Sequence, residues 1–212
     1  EEELLLLLSG EVDLILPDSQ NPDVNQRRCL KPGQFVYYPS SFAHTLQTTS
    51  EAPANYIMFK WHTESEKNDS ALAFGHFTML DPVEDTAVHD GFCTRLVFEG
   101  STAYLQRLQC HTSTLTPGAG YAPHIDAYSV AIIILEGEVE TLGERVGPHS
   151  VIFYAAGELH GMHNPGSQIA RYIVFEFHGS KAKLVKRLLN LSISLFVKLT
   201  DLRRWKRKLK LN

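Results

Sequence analysis

The chain has 212 residues, 43% hydrophobic and 21% charged, with 14 Gly, 10 Pro and a formal net charge of −4. That composition fits a folded globular protein and excludes collagen-like, disordered and disulfide-scaffold classes. The charge is unevenly divided. Residues 181–212 carry eleven Lys and Arg against the single acid Asp201, a net +10, which leaves −14 on residues 1–180.

Glu1-Glu2-Glu3 leads directly into Leu4–Leu8, with no initiator Met. A signal peptide would place positive charge before a longer apolar run, so that reading fails. The leucines read instead as a buried strand entered part-way, and further chain upstream is expected. The following 170 or so residues are β-rich: short runs of Val, Ile, Tyr, Phe and Leu separated by Gly, Pro, Asn and Asp. Cys29, Cys93 and Cys110 are odd in number and form no C-x-x-C pair. They suggest neither a disulfide framework nor a cysteine-built zinc site, and a reducing, cytoplasmic location is expected.

Three segments recur in order. Leu4–Val12 matches Ala131–Val139 at an offset of 127, and Tyr56–His62 matches Tyr172–His178 at an offset of 116. Between them, Phe35-Val-Tyr-Tyr with His44 matches Ile152-Phe-Tyr with His160. Internal self-similarity of this kind marks a duplicated module. The shorter offset follows from a longer loop around Pro17–Lys31 in the first copy. The expected division is a first module at residues 1–62, a connecting segment at 63–92, a second module at 93–180 and a tail at 181–212.

In the second copy, His124 and Asp126 are two residues apart, so on a strand they share a face. His160 follows the turn Ala155-Ala-Gly157-Glu-Leu and is expected on a neighbouring strand. Two imidazoles and a carboxylate with open positions suit non-haem Fe(II), and also Mn, Ni or Zn. Tyr121, Tyr128 and Tyr154 are candidates for the wall of a ligand pocket, against the plainer reading of aromatic packing. His62 and His178 end equivalent strands, with Lys60 and Glu176 two residues earlier on the same face. A role at a pocket mouth competes there with a simple surface position.

These residues resemble the cupin superfamily, and the duplication resembles a bicupin of the RmlC-like kind. Gly118, His124, Asp126, Val130 and Gly137 fall on the frame of the first cupin motif, with Asp126 in place of a second His and Val130 in place of a Glu. Gly157, His160 and Asn164 fall on the second motif, with His149 and Ala155 in place of its Gly and Pro. In the first copy Glu3 and Gly10 match the end of the first motif. Gly33, Pro39 and His44 carry the second, with Ser41 and Thr48 substituted. The resemblance implies an all-β fold of tandem double-stranded β-helix (jelly-roll) barrels. It also implies a divalent metal (Fe, Mn, Ni or Zn) on His124, Asp126 and His160, and a vestigial site on Glu3 and His44. The alternative for these groups is a set of satisfied polar residues inside a barrel that binds no metal.

From Lys181 onward the period changes to that of a helix. Leu184, Leu188, Leu191, Leu195, Leu199, Leu202, Trp205 and Leu209 form one apolar stripe, set against a strongly basic face. A basic amphipathic helix of this kind fits an anionic membrane surface, or docks on a barrel or a protein partner. Its longest uncharged run, Leu188–Val197, is too short to span a bilayer. Nucleic acid is a poor fit, because Trp205 alone offers no base-reading surface.

Two functions remain open. One is a metal-dependent enzyme, an oxygenase or an isomerase or epimerase, acting on a small polar metabolite of sugar or carboxylate type. The other is a non-catalytic binding or structural module, a homodimer among its forms, placed by its tail in the cytoplasm or at a membrane periphery.

Overall fold

The computed structural model describes residues 1–17, 25–62, 70–78 and 91–179. The expected amphipathic helix at 181–212 lies outside them. Residues 1–178 cluster as one unit and 179–212 as another. The described residues contain sixteen strands and no helix.

The first seven strands are β1 (Glu2–Ser9), β2 (Val12–Pro17), β3 (Asn25–Leu30), β4 (Gln34–Tyr38), β5 (Thr45–Thr48), β6 (Asn55–Trp61) and β7 (Gly75–Thr78). They build a four-stranded sheet, β6-β1-β4-β7, and a three-stranded sheet, β3-β2-β5. The strand β7 lies within the segment read from sequence as a connection, and it pairs with β4.

The other nine strands are β8 (Phe92–Gly100), β9 (Arg107–Leu115), β10 (Gly120–Ile125), β11 (Ser129–Glu136), β12 (Val139–Thr141), β13 (Glu144–Val146), β14 (Val151–Tyr154), β15 (Leu159–His163) and β16 (Ala170–His178). They form a five-stranded sheet, β14-β11-β16-β9-β8, and a four-stranded sheet, β10-β15-β12-β13. All recorded strand pairings are antiparallel.

The duplication holds at the level of register. Leu6 faces Ile57 across β1 and β6, and Ile133 faces Ile173 across β11 and β16, at the offsets found in sequence. Both strand pairs slip at the same place, between Leu7 and Ser9 and between Ile134 and Glu136. Each slip precedes a glycine with positive φ, Gly10 or Gly137. A Cβ on Gly10 would lie under 3 Å from the backbone of Ala54, just before β6, and one on Gly137 under 3 Å from that of the equivalent Ala170, at the start of β16. The close approach of two chains therefore requires glycine at both.

Alternation along β1 explains its unbroken leucines. Leu5 and Leu7 point into the first barrel, where they meet Val12, Leu14, Leu16, Leu30, Val36 and Tyr38. Leu4 and Leu6 point the other way, into a second core shared with Phe98, Leu108, Ile133 and Phe175. A strand buried on both faces reads as a continuous apolar run. Ile132 and Ile134 fill the second barrel, while Ile133 joins the shared core. Phe35 is fully buried between Phe77 and Phe175, with ring centroids 5.3 and 5.8 Å away. Each such side chain contributes about 1.5–3 kcal/mol through burial.

Candidate metal centre

β10 and β15 run antiparallel with His124 directly opposite His160. Their rings lie 4.5 Å apart. Asp126, just past the end of β10, turns one carboxylate oxygen toward both: Oδ2 is 3.5 Å from His124 Nε2 and 3.4 Å from His160 Nε2. The backbone N–H of Gly157 donates to the Asp126 carbonyl at 2.8 Å, which ties this turn to the loop leading into β15.

Each imidazole is held from behind. His124 Nδ1 is 3.2 Å from the Ala122 carbonyl, and His160 Nδ1 is 3.0 Å from that of Glu158. A carbonyl only accepts, so Nδ1 carries the hydrogen and each Nε2 presents a lone pair to the cluster. His160 is buried and also stacks on the Tyr154 ring at 4.1 Å. Three donor atoms lie within 4.8 Å of one another. Donors bound at about 2.0–2.2 Å to one ion stand at separations compatible with these, so the residues fit a divalent metal.

The three residues line a cavity of about 250 Å³, together with Tyr121, Tyr128, Val130 and Tyr172 among others. Tyr121 and Tyr128, two of the three tyrosines offered by the sequence, line this cavity. Burial, and then the neighbouring Glu176 and Asp126 charges, push the Tyr128 phenol up to about 12, so it stays a hydrogen-bond donor at neutral pH. Tyr154 is different. It stands behind His160 rather than on the cavity wall, and its hydroxyl bonds Thr141. Asn164 is structural: its fully buried amide donates to the carbonyls of Leu115 and Gln168 and accepts from Gly166 N–H.

Val130 occupies the place that Glu3 has in the first barrel, and it is buried in the cavity wall. A carboxylate does reach this wall, from the next strand. Glu176, opposite Val130 on β16, lines the same cavity with His111 and Ser113 of β9. Glu176 is held by His111 Nε2 at 3.2 Å and His178 Nε2 at 2.8 Å. Burial alone would raise its pKa, but the hydrogen bonds and charges of the two imidazoles outweigh burial and hold it below the usual carboxylate value. His111 was not singled out in the sequence, because β9 lies outside the repeated segments.

In the first barrel, Glu3 and His44 also meet, with Oε2 to Nε2 at 3.4 Å. His44 repeats the support of His160: Nδ1 is 2.9 Å from the Phe42 carbonyl, and the ring stacks on Tyr38 at 3.7 Å. No third ligand joins this pair among the described residues. The Lys60 ammonium sits 3.0 Å from Glu3 and 3.7 Å from Glu1 instead. Its hydrogen bond to Glu3 raises its pKa, so the charge is firmly retained.

No family model matches the chain, and no curated protein does. Solved structures do match. AerE from Microcystis aeruginosa aligns over 84% of this chain and 78% of its own, with 15% identity and a TM-score of 0.58. A cupin 2 conserved barrel domain protein from Leptotrichia buccalis aligns over 83% and 73%, with 11% identity and a TM-score of 0.54. This chain has the cupin fold. Bacillus subtilis oxalate decarboxylase extends the likeness, as a deletion mutant with 11% identity and a TM-score of 0.53 and as a structure described for its Mn(II) centres with 11% identity and a TM-score of 0.52. The present chain covers 84% of its own length in the match to the mutant but only 64% of the enzyme's. At such identities the likeness concerns the fold, and the chemistry of this chain rests on its own side chains.

Proposed function

We propose that the second barrel binds one divalent metal through His124, Asp126 and His160, and on it a small polar metabolite of carboxylate or sugar type. The observation that carries this reading is the pair of imidazoles whose Nδ1 atoms are fixed by backbone carbonyls, leaving both Nε2 atoms directed at one Asp126 oxygen. Outer hydrogen bonds that fix the tautomer are the usual companions of metal-ligating histidines. The donor set of nitrogen and oxygen suits Mn, Fe, Ni or Zn, and the Mn(II) centres of oxalate decarboxylase, a structural neighbour, support Mn among these.

A bound metal supplies Lewis acidity toward a ligand oxygen. The chain's own part is to hold that ligand and its protons. Tyr128, a donor at neutral pH, and Tyr121 offer hydroxyls on the cavity wall. Val130, Ile132 and Val174 line the rest and exclude water. This supports an enzyme of oxygenase or isomerase type more than a passive binder, because a polar set beyond the three ligands faces the same cavity.

Metal analysis of the purified chain tests the reading. Stoichiometric metal in the wild type, lost in His160→Ala, is expected. Metal content unchanged by that substitution would remove the ligand set.

A further inference from the structure

The two barrels differ at one sheet edge. Phe35 and Tyr37 on β4 correspond to Val151 and Phe153 on β14, since Phe35 faces Leu6 just as Val151 faces Ile133. In the first barrel β7 lies along the free side of β4, with Phe77 opposite Phe35 and Gly75 opposite Tyr37, and both β4 side chains are fully buried. In the second barrel β14 ends its sheet, and no strand among the described residues lies beyond it. Val151 and Phe153 are left 46% and 59% exposed.

This apolar exposure is joined to free backbone. Ile134 N–H donates to Ser150 O, which makes Ser150 a bonded partner of β11. Bonded positions alternate along an antiparallel ladder, so Ile152 and Tyr154 are bonded to β11 as well. The N–H and C=O of Val151 and Phe153 therefore point away from it. Edge strands that face water are normally guarded by charge, as β8 is by Arg95 and Glu99 and β13 by Glu144 and Arg145. Residues 146–157 contain no Asp, Glu, Lys or Arg. The open face also continues an interface already built. Val151 and Phe153 lie opposite Ile133 and Ala131, both fully buried, and Ile133 belongs to the core shared by the two barrels.

We propose that β14 is the contact through which two copies of this chain associate, paired antiparallel about a two-fold axis at Ile152. The free groups select this register. With Ile152 opposite the partner's Ile152, Val151 stands opposite the partner's Phe153, and Phe153 opposite the partner's Val151. These are the residues with outward N–H and C=O, so each pair exchanges both of its hydrogen bonds. Their side chains fall on one face. An aromatic ring then lies beside a β-branched side chain on each side of the axis, a favourable cross-strand pairing. The edge is its own complement, as an isologous contact requires, and the two five-stranded sheets join into one. The contact uses none of His124, Asp126 and His160, so it stands whether or not a metal binds.

Sedimentation equilibrium of the whole chain measures the association, in salt of about 0.5 M to screen the basic residues 181–212. A dimer that dissociates on dilution is expected. Phe153→Lys should raise its dissociation constant about 100-fold or more, because two rings leave the contact, and Val151→Glu should weaken it too. Combining Val151→Glu with Phe153→Lys should restore the dimer, since the register sets the introduced acid of each copy opposite the introduced base of the other. A wild type that is monomeric at about 200 µM overturns the proposal. So does a dimer unaffected by Phe153→Lys, a combined variant that stays monomeric, or association that continues past the dimer.

Amide hydrogen exchange of the wild type decides independently of how any variant folds. The Val151 and Phe153 amides should gain protection as concentration rises through the dissociation constant, while those of Ile152 and Tyr154, already bonded to β11, should not. Exchange at Val151 and Phe153 that ignores concentration overturns the second copy as occupant. If slow, it shows that another segment covers β14; if fast, that the edge stays open.

Discussion

Val130 faces Glu176 across β11 and β16 at the position where Glu3 faces Lys60 across β1 and β6. One strand pair has thus been used in two ways. In the first barrel the carboxylate on β1 is neutralised by an ammonium on β6. In the second the carboxylate stands on β16, an apolar side chain replaces it on β11, and a histidine–aspartate cluster forms nearby on β10 and β15.

This arrangement predicts one metal per chain rather than two. Lys60 supplies the positive charge that a cation would bring to Glu3 and His44, and like charges exclude each other. His44→Ala should leave metal content at the wild-type level, whereas Asp126→Asn should lower it strongly. Elemental analysis of both variants checks this. Two ions per wild-type chain, or a halved content in His44→Ala, would show that the first barrel is a metal site.

Glu176 should confer a stability that depends on pH in one direction. Its folded pKa is held below the usual 4.5 by His111 and His178, despite burial. The unfolded chain therefore binds the proton more readily, and the contribution is present above about pH 4.5 and lost as pH falls through the folded value. Glu176→Gln is expected to cost about 1–3 kcal/mol near neutral pH, the range for leaving buried partners unmatched. The gap from wild type should close in acid. Parallel urea titrations at neutral and acid pH measure it, and a gap that widens in acid would reverse the sign argued here.

The repeat and the three-residue cluster were legible in the sequence because they rest on local spacing. Gly10 and Gly137 mark equivalent strand ends, and His124 and Asp126 share a strand face by being two apart. His111 and Glu176 were not legible as a pair. They are 65 residues apart, and only the order β11-β16-β9 brings them together. The one available signal was the matched set Lys60–His62 and Glu176–His178, and nothing in it says which strand lies alongside. Tyr154 shows the converse limit: its residue type made it a candidate for the pocket wall, but could not tell a wall residue from one stacked behind the imidazole.

Glu2 is expected to be a stability determinant between the two barrels. It is fully buried and accepts from Tyr37 OH, Trp61 Nε1–H, Thr102 OH and Ala103 N–H at 2.6–3.0 Å. Tyr37 and Trp61 belong to the first barrel, while Thr102 and Ala103 lie between β8 and β9. Glu2→Ala orphans four donors at once, and each buried orphan costs about 1–3 kcal/mol. A loss of about 3 kcal/mol or more by chemical unfolding is predicted, a large part of the ~5–15 kcal/mol typical of folded domains. A loss under about 1 kcal/mol would mean that water reaches these donors.

Tyr38 and Tyr154 occupy equivalent places under His44 and His160, and they should respond oppositely to loss of the hydroxyl. The Tyr38 hydroxyl is buried with no hydrogen-bond partner among the described residues. That of Tyr154 bonds Thr141. Tyr38→Phe is therefore predicted to be neutral or stabilising by up to about 1 kcal/mol, and Tyr154→Phe to cost about 1 kcal/mol. Thermal unfolding of the two variants compares them directly. Equal destabilisation would show that the Tyr38 hydroxyl has a water partner.

The two left-handed positions of the second motif make the last prediction. In the first barrel they are Gly33 and Ser41, with φ of 83° and 65°; in the second they are His149 and Gly157, at 67° and 89°. Each copy thus keeps glycine at one position and strains an ordinary residue at the other. The conformation at the first is enforced by one hydrogen bond in both copies, Gly33 N–H to Leu7 O at 2.9 Å and His149 N–H to Ile134 O at 2.8 Å. A left-handed non-glycine residue costs about 1–2 kcal/mol, partly offset by the greater freedom that glycine brings to the unfolded chain. His149→Gly and Ser41→Gly should each stabilise by about 0.5–1 kcal/mol. Their effects should add, because the sites lie in different barrels. Gly157→Ala should do the reverse, although no atom stands within 4 Å of its missing Cβ, so the loss would come from φ alone. Unfolding free energies of the three variants and the double glycine variant test the set. Destabilisation by His149→Gly would mean that its side chain, exposed as it is, contributes more than its backbone strain removes.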